Sequence, residues 1–149
     1  MANSIQQAKI AATPSEKVKT NELAGRVRVA FAEYEASAEQ STIHMFSLPN
    51  GARILGGRLA HDALGSSTTL SVGHNAYIDS SGSTVALDVD EFKAAASSAS
   101  ASSVAVAQTI ALGENSVVDA DKDGLPVTVT IAGANGTNTI QLQMTYVVD

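Results

Sequence analysis

Asp119-Ala120-Asp121-Lys122-Asp123-Gly124 places carboxylates at alternate positions ahead of a glycine. That is the first half of a calcium loop, in which oxygens two residues apart wrap one ion. The second half departs from the pattern. Thr130 stands where a bidentate glutamate is needed, and Pro126 opens a strand where the exiting helix would begin. An EF-hand is excluded, and two readings of Asp119, Asp121 and Asp123 stay open. One is a looser calcium site in a β-loop; the other is an acidic turn, since Asp and Gly are what turns use.

His44, His61 and His74 fall on different predicted elements, and no two have the i, i+2 or i, i+4 spacing of paired metal ligands. His61 and Asp62 are adjacent, so a strand turns them to opposite faces. A metal triad or a Ser-His-Asp site would have to be assembled in space. No serine sits in a Gly-x-Ser-x-Gly elbow. Gly51, Gly56 and Gly57 lack the spacing and the following helix of a phosphate loop. Asp88, Asp90 and Glu91 are explained as acidic residues at the start of a short helix. The residues therefore name no catalytic, cofactor or metal site, and a non-enzymatic protein is expected.

The elements that must position these residues read as strands. Arg26 to Tyr34 alternates, with Val27, Val29 and Phe31 on one face and Arg26 and Arg28 on the other; helical spacing of Leu23, Val27, Phe31 and Tyr34 competes. Ser41 to Leu48 is a second strand, closed by the Pro49-Asn50-Gly51 turn. Arg53 to Ala60 follows, and its central Gly56 and Gly57 mark a bulge or a close backbone approach. Thr68 to Val72 comes next, and then a short hairpin around Ser80-Ser81-Gly82. Asp90 to Ala96 is the expected short helix, with acidic residues leading and alanines after them. Val104, Val106, Gln108, Ile110 and Leu112 share one face of the next strand. Val127 to Ile131 and Ile140 to Tyr146 alternate on either side of Ala134 to Asn138, the pattern of an antiparallel hairpin with an uncharged Thr/Gln outer face. That face resembles a surface covered by something other than bulk water. About eight strands and one helix predict an all-β, antiparallel sandwich of jelly-roll type.

The chain of 149 residues suits one such domain, over residues 23–149. Residues 1–22 sustain neither helix nor strand and form an N-terminal arm. It is either disordered or ordered by lying across a neighbouring subunit, with Ile5, Ile10 and Val18 as anchors. Absence of cysteine removes thiol and cysteine-metal chemistry. Aromatics are 4% of the chain, so the core rests on Val, Ile, Leu and Ala, with Phe31, Phe46, Phe92, Tyr34, Tyr77 and Tyr146 as its large pieces. Few aromatics and a net charge of −6 argue against nucleic-acid binding. No apolar run has the length of a membrane span or a signal-peptide core, so neither is expected.

The stretch LPNGARILGGRLAHDALGSSTTLSVG, with an acidic segment and an Ala/Ser-rich passage after it, resembles small virion proteins of tailed bacteriophages. The positions that carry the likeness are Leu48, Pro49, Gly51, Ala52 and Ile54, then Gly65, Ser67, Thr68, Thr69, Leu70, Val72 and Gly73. It spans roughly residues 25–112 and consists of turn and core residues, with no functional group among them. The resemblance implies a β-sandwich capsid decoration (cement) protein, with the major capsid protein and itself as partners, as a homotrimer on the virion surface. Another virion component, such as a head fibre, neck or tail protein, stays open, as does a carbohydrate-binding module.

Overall fold

The computed structural model describes residues 4–19, 22–23 and 25–148. The first three residues of the expected arm, residues 20–21 and 24, and Asp149 lie outside the described residues. Two four-stranded sheets face each other. The first holds, in spatial order, β1 (Val27–Glu39), β10 (Gly136–Val147), β3 (Arg53–His61) and β8 (Ser102–Val106). The second holds β2 (Thr42–Leu48), β9 (Leu125–Ala132), β4 (Thr69–His74) and β7 (Asp88–Ser97). A small hairpin, β5 (Tyr77–Ile78) and β6 (Thr84–Val85), interrupts the path from β4 to β7.

All pairings are antiparallel, and the partners are nested: β1 with β10, β2 with β9, β3 with β8, β4 with β7. That nesting is a long hairpin rolled up on itself, the jelly roll expected from the strand count. Alternation supplies its core. Leu48, Ile54 and Leu59 from one half of the chain meet Val127, Leu142 and Met144 from the other, all essentially inaccessible. Each such side chain contributes about 1.5–3 kcal/mol on burial. Phe92 is the one phenylalanine fully inside, and the tyrosines only flank the core.

The two central glycines of β3 do both things expected of them. Leu55 is an extra residue, since the register against β10 shifts between Thr145 and Tyr146. Gly57 lies so close to β10 that a Cβ there would stand 2.5 Å from the Gln143 carbonyl oxygen.

Several expectations are corrected. Asp90 to Ala96 is strand, part of β7, and Asp88, Asp90 and Glu91 cap no helix. Pairing with β4 and burial of Phe92 outweigh the helix preference of three alanines. The short helix lies instead in the arm: α1 (Ile5–Ala11) starts where the Ser4 side chain accepts from the Gln7 N–H, on a run of good helix formers. The strand through Val104 ends at Val106. Ala107 takes a positive φ, and Ile110–Leu112 form one 3₁₀ turn that leaves Ile110 87% exposed.

β9 and β10 do not form a hairpin. Each joins a different sheet, and the chain crosses between them at Gly133. There φ is +82°, and a Cβ would meet the Ser67 carbonyl oxygen at 2.3 Å. One-sided alternation is the same for a hairpin and for two strands facing across a core, so the pattern alone does not separate them.

Candidate interaction surface

The outward face of the first sheet is built by register. Phe31, Gln143, Arg58 and Ala105 lie side by side across β1, β10, β3 and β8; so do Glu33, Gln141, Ala60 and Ser103. Side chains at paired positions share a face, so long polar groups reach their neighbours. Gln141 donates to a Glu33 carboxylate oxygen at 2.6 Å, and Thr139 donates to Glu35 at 2.6 Å. Arg58 Nε donates to Ser103 Oγ. Because Ala60 is small, the middle of the face is hollow. A depression of about 560 Å³ runs between Glu33, Asp62 and Thr139. It shares Ala60 and Gln141 with a second hollow of about 310 Å³ reaching Phe31 and Arg58.

On β1 the orientation is the reverse of a core reading. Val27, Val29 and Phe31 point outward and are 63%, 57% and 59% exposed. Ala30, Ala32, Tyr34 and Ala36 face inward. Phe31 is therefore not a core residue. The signal was in the sequence: Glu33 and Glu35 continue the parity of Phe31, and two carboxylates on a half-buried strand belong outside. At the end of β1 Tyr34 donates to Glu39 at 2.6 Å. That bond raises the Tyr34 pKa and lowers that of Glu39.

The arm offers further uncovered apolar groups. Ile5 and Ile10 on α1 are exposed, no residue of α1 is buried, and α1 makes no extensive contact with any strand. Its ties are polar and local, Lys9 and Gln6 to Glu22, whose carboxyl is held below its usual pKa mainly by the Lys19 N–H. A seven-residue helix is marginal alone in water.

The three histidines do not converge. His44 and His74 border one hollow of about 140 Å³ on the second sheet, between Thr128 and the Leu87–Val89 segment, whereas His61 is on the first sheet. His44 Nε2 lies 3.2 Å from Ser47 Oγ, but no carboxylate among the described residues orients that ring. His61 and His74 each donate Nδ1–H to the next residue's carbonyl oxygen. His74 also packs edge-on against Tyr77. That both border one hollow had no sequence signal, because β9 stands between β2 and β4.

All three aspartates are engaged, Asp119 with the turn between β5 and β6 and the other two within their own loop. Asp119 accepts from the Ser80 N–H, Asp121 accepts from the Asp123 N–H, and Asp123 pairs with Lys122 at 2.8 Å. Among the described residues no three histidine or carboxylate side chains gather as a metal site.

No protein-family model matches the chain, and no curated protein matches it. Solved structures do. A chain of the cyanophage Pam1 capsid asymmetric unit has a TM-score of 0.63 at 20% identity, with 99% of both chains covered. A chain of the Ralstonia phage GP4 capsid has a TM-score of 0.61 at 19% identity, covering 84% of this chain and 86% of that one. A chain of the acid-stable capsid of the Helicobacter pylori bacteriophage KHP30 has a TM-score of 0.53 at 18% identity, covering 82% and 87%. At these identities the likeness is one of fold.

Proposed function

We propose that this chain is a non-enzymatic structural protein of a tailed-phage virion, made in the host cytoplasm. It decorates the capsid surface and stabilises the head by bridging major capsid protein subunits. The observation that carries the reading is the end-to-end match, arm included, to a chain of a phage capsid. It agrees with what the surface offers: uncovered apolar and neutral polar groups spread over a sheet face and an arm, the form of a contact and not of a reaction centre. On this reading the copies associate as the homotrimer that the sequence resemblance implies, and the arm grips a neighbour through Ile5, Ile10 and Val18.

The test is addition of purified protein to particles that lack it. Full-length chain should bind in hundreds of copies and raise the temperature of head rupture; a chain without residues 1–22 should bind at reduced occupancy. Unchanged occupancy would refute the arm's role. Tens of copies at a vertex or tail would instead identify a head fibre, neck or tail component. A second reading, glycan binding, is favoured by Phe31 beside the Gln141–Gln143 hollow. Saturable glycan binding lost in Phe31→Ala would establish it.

A further inference from the structure

Four strands border the sheets: β1 and β8 in the first, β2 and β7 in the second. An edge strand presents unpaired N–H and C=O groups and recruits other chains unless it is short, bulged, charged or broken by proline. Three of the four are protected. β8 has five residues, β2 shifts register between His44 and Phe46, and β7 shifts twice against β4. β1 runs regularly from Val27 to Ser37, and its only irregularity lies beyond that. Glu33 and Glu35 guard its second half, but outward from Val27 to Phe31 there is only uncovered apolar surface.

The free backbone groups follow from one hydrogen bond. The Asp62 N–H donates to the Thr139 carbonyl at 3.0 Å, so odd-numbered residues of β10 bond toward β3. Bonded and non-bonded pairs alternate in an antiparallel ladder, so even-numbered residues of β10 bond toward β1. Their partners are Ala30, Ala32 and Tyr34. The N–H and C=O groups of Val29 and Phe31 therefore point away from the sheet, and no strand among the described residues takes them.

We infer that β1 receives the β1 of a second copy of this chain, antiparallel and centred on Val29, so that the two first sheets become one. In that register Val29 faces Val29, and Val27 of each copy faces Phe31 of the other. Centring on Ala30 instead sets Val27 against Glu33, and centring on Arg28 sets Phe31 against Gly25. Among these, only the register on Val29 gives each exposed apolar side chain an apolar partner. Charge fits as well. A net charge of −6 opposes association of like copies. The stretch from Arg26 to Glu35 is locally neutral, and this register sets Arg26 against Ala32 and Arg28 against Ala30, opposing no like charges. The contact is two-fold, so it pairs copies in addition to any three-fold association, and it is measurable without a capsid.

The chain has no cysteine, so one introduced thiol reports alone. Directly bonded antiparallel residues stand about 5.5 Å apart at Cα, within disulfide reach. Under mild oxidation Val29→Cys should convert to covalent dimer, and Gln143→Cys, on the same face but one strand inward, should stay monomeric. In sedimentation across a concentration series, Phe31→Glu should weaken the dimer about ten-fold or more, while the melting temperature of the dilute monomer is unchanged. Two results would overturn the inference: Val29→Cys cross-linking no faster than Gln143→Cys, or an oligomer whose mass ignores Phe31→Glu. Either leaves the capsid proposal intact, since that one is read from particle occupancy.

Discussion

On the first sheet the outward Phe31, Arg58 and Gln143 meet solvent; on the second the outward Ser71, Gly73 and Thr128 are buried. The two sheets have the same number of strands and the same nested pairing, and both outer faces carry threonine and serine, the first among Phe, Val, Arg, Glu and Gln. The difference is a covering segment. The start of β7 passes over β4, so that a Cβ on Gly73 would stand 2.0 Å from the Asp88 carbonyl oxygen. The second sheet thus covers its own outer face, while that of the first stays open to solvent. Neutral polar residues on an outer face can be sealed or left open, and on the second sheet the path of a remote segment decides it.

Substitutions on the two faces should separate these roles. Gly73→Ala forces β7 off the second sheet and is expected to cost about 3 kcal/mol, read as a fall in melting temperature of roughly 10 °C. Gln143→Ala on the open face should change stability by less than about 0.5 kcal/mol. Equal effects would break the comparison. Ser98→Ala is a finer probe of the second sheet's inner side, because its buried hydroxyl donates to Thr68 Oγ1 at 2.9 Å. A loss of about 1 kcal/mol is expected in denaturant unfolding. Thr128 has the opposite sign. Its hydroxyl is buried with no hydrogen-bond partner among the described residues, so Thr128→Val should leave stability unchanged or raise it by up to about 1 kcal/mol.

The smallest effect concerns pH. Asp79 accepts from Ser81 Oγ and from the Ser81 and Ser83 N–H groups, which holds its pKa below the ordinary 3.8. A depressed carboxyl stabilises the folded tip above its unfolded pKa and loses that contribution as pH falls through the folded value. Amide shifts of Ser81 and Ser83 should therefore titrate with a midpoint below 3.8, and in Asp79→Asn that titration should vanish.

Much of the fold was legible because strands with one face in a core alternate. Thr42–Leu48, Arg53–His61 and Thr69–His74 fall where the pattern set them, and the Gly56–Gly57 pair marked the bulge. The failures share a cause: pattern gives period, and tertiary placement gives the rest. Asp90 to Ala96 is helical by composition and strand by its pairing with β4. Val127 to Tyr146 alternates in the same way whether it folds back or crosses the core. The open face was half legible, since the neutral Thr/Gln row of β10 was read as covered. On β1 the expectation of Phe31 as a core piece fails, because Glu33 and Glu35 fix the parity of that face as outward.

Val27 and Val147 are register partners, so the sandwich takes in and gives out its chain at one pole. The 62–68, 98–101 and 133–135 corners crown the other pole, roughly 30 Å away along a nine-residue strand. Cargo attached after Val147 would stand at the pole where β1 begins. A peptide grafted at exposed Ser100 would stand clear of it, making that corner the natural mast for anything displayed.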